Sequence, residues 1–515
     1  MPLSVTALLC SACLSDLDTK PLTESLYLAE DAWRNPSSYE EFLSKIYAGL
    51  ALSGNSGAFG VPDITAADQG EATFLRTWWN LQEICTDEAL ATEDNESMRG
   101  LVFAQWNSNN NFVALNYTRL YMNIAYANEF LRETTEPKLK ERGFDGAFCA
   151  KVETMRAEAR ALRALNYYCL MDLYANIPFI DEKQEVGKTD AKQKGRVFFF
   201  TWIESELNEI RSNLPDCDMA HYGMFNKAAA AMLLAKLYLN AEVFIGRDMY
   251  TECISELKQV FSFGYALDED YSRVFCADNH RSPEIIFPII YDGRHAATFG
   301  GTTYLIAASS KSDMNPTSTR GFTQAWSNIH ATEVLEDVFA PEDKRAMFWK
   351  ENRSHDNEVW YDFTKGWSVV KYSNLNADGS TGSNTSHADT DFPFFRLPDA
   401  YLMYAEAFLR GGQGGSRETA LSLMNELRSR AALSPLSNIE LTLDTVLDER
   451  MRELYWEAHR RQDLIRFGKF VSGYKWPWKN GVYTGTADID PKYKIYPIPS
   501  VEVAINPHIT QNDGY

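Results

Sequence analysis

"KVETMRAEARALRALNYYCLMDLY", Lys151 to Tyr174, is the stretch that decides the fold. Met155, Ala159, Leu162, Leu165, Cys169 and Leu173 recur at steps of three and four, the spacing of one face of an α-helix. Asn176, Ile177 and Pro178 stop it, since proline cannot continue a helix. The same period returns downstream. Asn226 to Val243 predicts an alanine-rich helix in which Ala228, Ala231, Ala235 and Leu239 leave a flat side for close approach. "YTECISELKQVF" supplies its partner, with Tyr250, Cys253, Ile254, Leu257 and Phe261 on one face. Helix, short turn and amphipathic helix make a hairpin of tetratricopeptide type. "AYLMYAEAFLRGG" and "ETALSLMNELRSRA" repeat the arrangement, with Gly411 and Gly412 between them. Val446 to Phe467 reads as one last helix, with Leu447, Met451, Leu454, Tyr455 and Ala458 in register.

Between these hairpins the period fades. From about 264 to 395, Gly, Asn, Ser, Thr and aromatics take over, and Tyr291, Tyr304, Trp326, Trp349, Trp360, Trp367 and Tyr372 fall there. "NLNADGSTGSNTSHADT", Asn374 to Thr390, reads as a mobile polar loop, while "EIIFPII" and "WSVVKY" read as short strands. Residues from about 53 to 111 are similar: polar, Gly- and Asn-rich, with Trp78, Trp79 and Trp106. The expected fold is mostly α, with about four helical hairpins over 112–263 and 396–470. An aromatic, loop-rich subdomain is inserted, and 14–515 forms a single domain. Loops on a rigid scaffold are where function concentrates.

The chain has 515 residues, 45% of them hydrophobic, enough for a large core. No apolar run reaches the roughly 18–20 residues that span a bilayer; "AAAAMLLAKLYLNAEVFIG" is broken by Lys236, Asn240 and Glu242. A net charge of −21 repels phosphate backbones and disfavours nucleic acid and strongly anionic polysaccharides, which leaves neutral ligands. Cys85, Cys149, Cys169, Cys217, Cys253 and Cys276 are scattered, and Cys10-x-x-Cys13 has no second half for zinc, so the isolated thiols read as small hydrophobes.

"MPLSVTALLCSACLSDLDTK" has the apolar stretch, small residues and cysteine of a secretory signal. Ser11-Ala12-Cys13 looks like a bacterial lipoprotein cleavage site, with residues 1–13 as signal and Cys13 as the acylated residue. Cys10 stands where leucine is usual, and no Lys or Arg precedes Lys20; an unprocessed N-terminus is the alternative. Acylation would anchor the protein to a membrane with no spanning helix.

Several stretches together resemble the SusD/RagB family of outer-surface glycan-binding lipoproteins. They are "WNLQEICTDEA", "RAEARALRALNYYCLMDLYANIPFI", "FFRLPDAYLMYAEA", "ERMRELYWEAHRRQDLIRFGKF" and the C-terminal "YPIPSVEVAINPHITQNDGY", in that order along the chain. Ala458 and His459 replace the commoner glycine-containing pair of the fourth motif. "CLSDLD", acidic just after the cysteine, is similar to the surface-export signals of such lipoproteins. The resemblance implies a lipid-anchored protein on the outer membrane that carries no catalytic residues. It implies that the protein binds oligo- or polysaccharide and acts as the lid of a SusC-like TonB-dependent transporter.

Sugars present C–H groups on their faces and hydroxyls at their edges, so a platform needs flat rings beside amides and charged groups. "RTWWNLQEICTDEAL", Arg76 to Leu90, supplies both. Two adjacent tryptophans are expected to face opposite ways: Trp79 stacks on a sugar, Asn80 bonds a hydroxyl, and Trp78 turns toward the core. Trp326 in "GFTQAWSNIH" is a second platform candidate. Tyr304 and Tyr291 are lesser ones, and packing is the alternative for each ring. Glu83, Asp87 and Glu88 read as backbone acceptors or caps of a helix starting after Thr86; Arg396, Arg460, Arg461 and Arg466 read as interhelix ion pairs. Asp268, Glu269 and Asp270 offer a structural calcium site or a solvated acidic turn; no other cofactor or metal is expected.

No GxSxG, HExxH, P-loop or EF-hand pattern occurs, and the eight histidines show no ligand spacing. Two alternatives stay open: a glycoside hydrolase using two carboxylates distant in sequence, and a helical scaffold that binds a protein or peptide.

Overall fold

The computed structural model describes residues 29–55, 57–187, 191–351, 353–354 and 358–515. Cys10, Cys13 and the 1–13 signal therefore lie outside the described residues. Ser37–Ala51 forms α1 and Phe74–Trp79 forms α2; α3 is Asn111–Glu133, α4 Gly146–Tyr174 and α5 Arg196–Ile210. Lys227–Leu239 is α6, Tyr250–Ser262 α7, Gly301–Ser309 α8 and Leu397–Leu409 α9. Arg417–Arg430 is α10, Leu443–Leu454 α11 and Arg460–Arg466 α12.

The deciding stretch is helix α4. The Asp145 carboxylate caps its start by accepting from the Phe148 amide at 2.8 Å. Its first turns bury one face, and from Ala161 to Tyr174 every residue is buried, as expected of a helix enclosed by others. It packs between α3 and α5, with α1 against both α3 and α4. α6 packs on α7, α7 on α9, and α9 on α10 and α11. Helix packed on helix thus runs through much of the chain.

Two helices end earlier than their periods suggest. α6 stops at Leu239, where Asn240 turns its Nδ2 back onto the Lys236 carbonyl at 2.8 Å. The stretch from Val446 to Phe467 is two helices, α11 and α12, parted by left-handed backbone at Trp456 (φ 68°) and Ala458 (φ 63°). Such a break frees backbone amides, and distant carboxylates receive them. Trp456 N donates to Glu88 Oε2 and His459 N to Glu83 Oε1, each at 3.2 Å. This corrects the capping expectation for Glu83 and Glu88, since the strand Ala89–Ala91, not a helix, follows them. Asp87 clasps Arg460 through two bonds of 2.7 and 2.6 Å. The other arginines also tie elements together: Arg396 to Glu284, Glu453 and Glu457, Arg461 to Asp172, and Arg466 to Glu406.

Four short strands matter for the site. Ala89–Ala91 (β1) pairs antiparallel with Ile329–Ala331 (β3), in the register Ala89↔Ala331, and Ile285–Ile289 (β2) pairs with Phe392–Arg396 (β4). The run from Asn374 to Thr390, expected to be mobile, is laced internally. Asn376 N donates to Ser380 O at 2.7 Å, and Asn374 Nδ2 to Asn384 O at 2.7 Å. At the acidic turn, Asp268 Oδ1 accepts the Asp270 amide and Asp270 Oδ1 accepts the Ser272 amide, so both serve local backbone. Among the described residues, no three ligand side chains converge as a metal site, and no helix is long and apolar enough to cross a membrane.

Candidate functional site

The region expected to loop outward holds the most enclosed segment of the chain. Every residue from Gly70 to Thr92 is buried. α2 runs on into a π-helical turn, Asn80–Ile84, and lies against α1, α3 and α8, so it has no free face. Both tryptophans are therefore inside. Trp78 stacks on Phe74 with centroids 6.1 Å apart. Trp79 is fully buried, packs edge-on to Trp456 at 5.2 Å, and donates Nε1–H to the Trp456 carbonyl at 3.0 Å. In this conformation Trp79 cannot cover a sugar. Asn80, Tyr304 and Tyr291 are buried as well, and burial raises the hydroxyl pKa of both tyrosines. Of the six expected contact residues, Trp79, Asn80, Tyr291 and Tyr304 are thus corrected to interior roles in this structure, while Trp78 faces the core as expected.

The structure nevertheless gathers four of them into one line. The Trp79 ring meets Tyr304 edge-on at 6.1 Å, Tyr304 donates its hydroxyl to Asn80 Oδ1 at 2.8 Å, and Tyr304 meets Trp326 at 6.3 Å. Trp326 is the outer end of this line and is half-buried. Its indole N–H donates to Gln324 Oε1 at 2.9 Å, and Gln324 Nε2 in turn donates to Ser386 O at 2.8 Å. Ser327, with φ 60°, turns the backbone just after it. The ring packs against the core, its edge is fixed, and the half-buried indole borders the depression.

Trp326 lines an open depression of about 630 Å³. Phe299 forms a second aromatic wall, while Gln69, Arg76, Gln324 and Asn328 bring polar groups, and Asp68 and Glu93 bring carboxylates. The β1–β3 ladder sets one side, since Thr92 N donates to Asn328 O at 2.9 Å and keeps Glu93 beside the Trp326 segment. Two glycines set the other. A Cβ on Gly70 would lie 2.2 Å from the Phe299 carbonyl carbon, and one on Gly300 would lie 2.0 Å from Thr73 Oγ1. Only bare backbone lets Asp68 and Gln69 come this close to Phe299.

Arg76 underlies the floor. It donates to Asp68 Oδ1 at 2.9 Å, and its guanidinium sits 4.4 Å from the Tyr304 ring centroid. Its charge is therefore met within the protein, which suits a neutral ligand. Among the described residues, Arg76 Nε and Asn328 Oδ1 are buried atoms with no hydrogen-bond partner behind the depression. Burial raises the pKa of Glu93, with only Asn95 Nδ2 bonded to its Oε1 at 2.8 Å. An indole, a second aromatic wall and amide side chains side by side form the combination a sugar needs.

A larger cleft of about 1190 Å³ lies between α1, α4 and β2, with Leu43, Leu50, Met155, Met224 and Ile290 among its walls. It contains no tryptophan; its walls are largely apolar, with Tyr47, Lys151, Glu158, Asn213 and Asp216 bringing polar groups. Phe299 and the amides around Trp326 were missed in the sequence. Its signals were "FGG" before a helical run and the Gln324-x-Trp326-x-Asn328 alternation beside a short strand.

Known proteins match along nearly the whole chain. Residues 291–515 match the model described as "SusD family", and residues 58–239 match the one described as "Starch-binding associating with outer membrane". The chain is 32% identical to the starch-binding protein SusD of Bacteroides thetaiotaomicron, over 98% of this chain and 96% of that protein. It superposes on surface glycan-binding protein A of Bacteroides thetaiotaomicron, solved in complex with laminarihexaose, with a TM-score of 0.69 and 20% identity. That match covers 92% of this chain and 99% of the other. A SusD superfamily protein of Parabacteroides distasonis gives a TM-score of 0.73 at 20% identity, covering 93% of this chain and 99% of the other.

Proposed function

Because this chain belongs to the SusD family, we propose that it binds neutral glucan chains at the Trp326 depression and passes them to an outer-membrane transporter. It is a binding protein and not an enzyme. A SusD relative named for starch binding and a structural neighbour holding a laminarihexaose both support a glucose polymer as ligand. The observation that carries the reading is the clamped, half-buried Trp326 ring at an open depression that Phe299, Gln69, Gln324 and Asn328 also line. A sugar face covers the indole, the amides and the guanidinium bond the ring hydroxyls, and the charge of −21 turns away anionic chains. The binding surface is shallow and built for one segment of a long chain.

The transporter is of the SusC-like, TonB-dependent type. The protein acts as its lid, held at the cell surface by acylation at Cys13. Membership of the family supports these parts of the reading. The test is titration calorimetry of the lipid-free protein against neutral α-1,4-, β-1,3- and β-1,4-glucans, with each mixture then analysed for cleavage. Saturable binding to one glucan series without cleavage supports the reading. No binding to any of them, or cleavage, overturns it.

A further inference from the structure

The loop that follows α1 carries two apolar residues that the fold leaves in water: Phe59, 76% exposed, and Val61, 82% exposed. Large apolar groups in water at a loop tip need a reason. The loop is held at its base and across its tip. Asp63 N donates to Ser53 O at 2.7 Å and Gly60 N to Gly57 O at 3.2 Å, while Lys45 Nζ bonds Asn55 Oδ1 at 2.6 Å and Asp63 Oδ2 at 2.9 Å. Gly57, with φ 71°, makes the turn.

The Phe59 ring meets Phe299 edge-to-face, with centroids 5.1 Å apart and planes at 81°. His387 lies beneath both, 6.0 Å from Phe59 and 4.9 Å from Phe299. Phe299 is itself a wall of the Trp326 depression. The aromatic surface therefore continues past that wall and ends on an exposed ring. His387 also anchors the wing to the polar run that fixes Gln324, since Ser386 accepts from Gln324. We propose that Phe59 is a further sugar-contacting residue, an outer wing that engages units of a glucan chain beyond those held at Trp326. This rests on the reading of the Trp326 depression as the glucan site. The wing adds contact only to chains long enough to reach past Phe299, so it makes the protein select for chain length. A short oligosaccharide is held by Trp326, Arg76 and the amides alone.

The test is calorimetry with tri- and heptasaccharides of the α-1,4- and β-1,3-glucan series, on wild type, Phe59→Ala, Phe59→Trp and Trp326→Ala. Thermal melts check that each variant folds. Phe59→Ala is expected to weaken heptasaccharide binding about three- to tenfold, leave trisaccharide binding unchanged, and be rescued by Phe59→Trp. If Phe59→Ala binds both lengths as wild type does, while Trp326→Ala has lost both, the wing is overturned and the site stands. An equal loss at both lengths also overturns it, because length selection is then absent. If Trp326→Ala binds normally, the site reading fails and takes the wing with it.

Discussion

Trp79 and Trp326 both pack on Tyr304, and they teach different things. Trp79 is sealed, with its N–H on the Trp456 carbonyl, and it props open the break between α11 and α12. Trp326 is half in water, with its N–H on a side chain that another segment holds in place. Both rings are clamped, yet only one can meet a ligand. The difference lies in what surrounds the segment. α2 is enclosed by helices on every side, whereas the Trp326 segment runs along the edge of a two-stranded ladder.

The sharpest way to break this contrast is through stability. Trp79→Ala removes a fully buried indole and is expected to cost about 3–5 kcal/mol of folding stability by urea denaturation. A loss under about 1 kcal/mol would contradict its interior role.

Next in size is a group between core and water. Glu158 lines the aliphatic cleft, accepts a hydrogen bond from the Tyr47 hydroxyl, and is pushed by burial up to about 7. A raised carboxyl pKa means that the folded state prefers the protonated form. Its stabilising contribution is present below the unfolded value and is lost as pH climbs toward about 7. Glu158→Gln stays neutral throughout. Its advantage over wild type is therefore expected to open between about pH 4.5 and about pH 7, to about 3 kcal/mol at most. Urea midpoints at about pH 5 and about pH 8 check the sign. An advantage that shrinks as pH rises would refute it.

Smaller again are the rim effects. Trp326→Ala is expected to leave the melting temperature nearly unchanged and to weaken glucan binding tenfold or more, about 1.4 kcal/mol at least. Gln324→Ala only frees the ring, so a loss of about threefold is expected in the same titration. A larger loss than that of Trp326→Ala would mean that Gln324, not the ring, makes the main contact.

The helices were legible because their apolar spacing is local: α4 follows directly from Met155, Ala159, Leu162 and Leu165. The break at Trp456 was not, because its hydrogen bonds come from Glu83 and Glu88, far away in the chain. Of the expected contact residues, only Trp326 stays half-buried at the edge of an open depression. The "WW" of α2 has the composition of a platform, but composition does not say which faces of a helix are covered. Phe299 and Phe59 were invisible for the opposite reason: each is a single ring followed by glycine, and only the close approach at Gly70 and Gly300 brings the Phe299 turn to the depression.

The central claim is that binding lives at the rim while the line of rings behind it is structural. The most direct measurement is titration of the bound glucan into wild type, Trp326→Ala and Trp79→Phe side by side, with a thermal melt of each. The expected result is lost binding with an unchanged melt for Trp326→Ala, and a lowered melt with retained binding for Trp79→Phe. The opposite pattern, with binding lost at Trp79 and kept at Trp326, would contradict the claim.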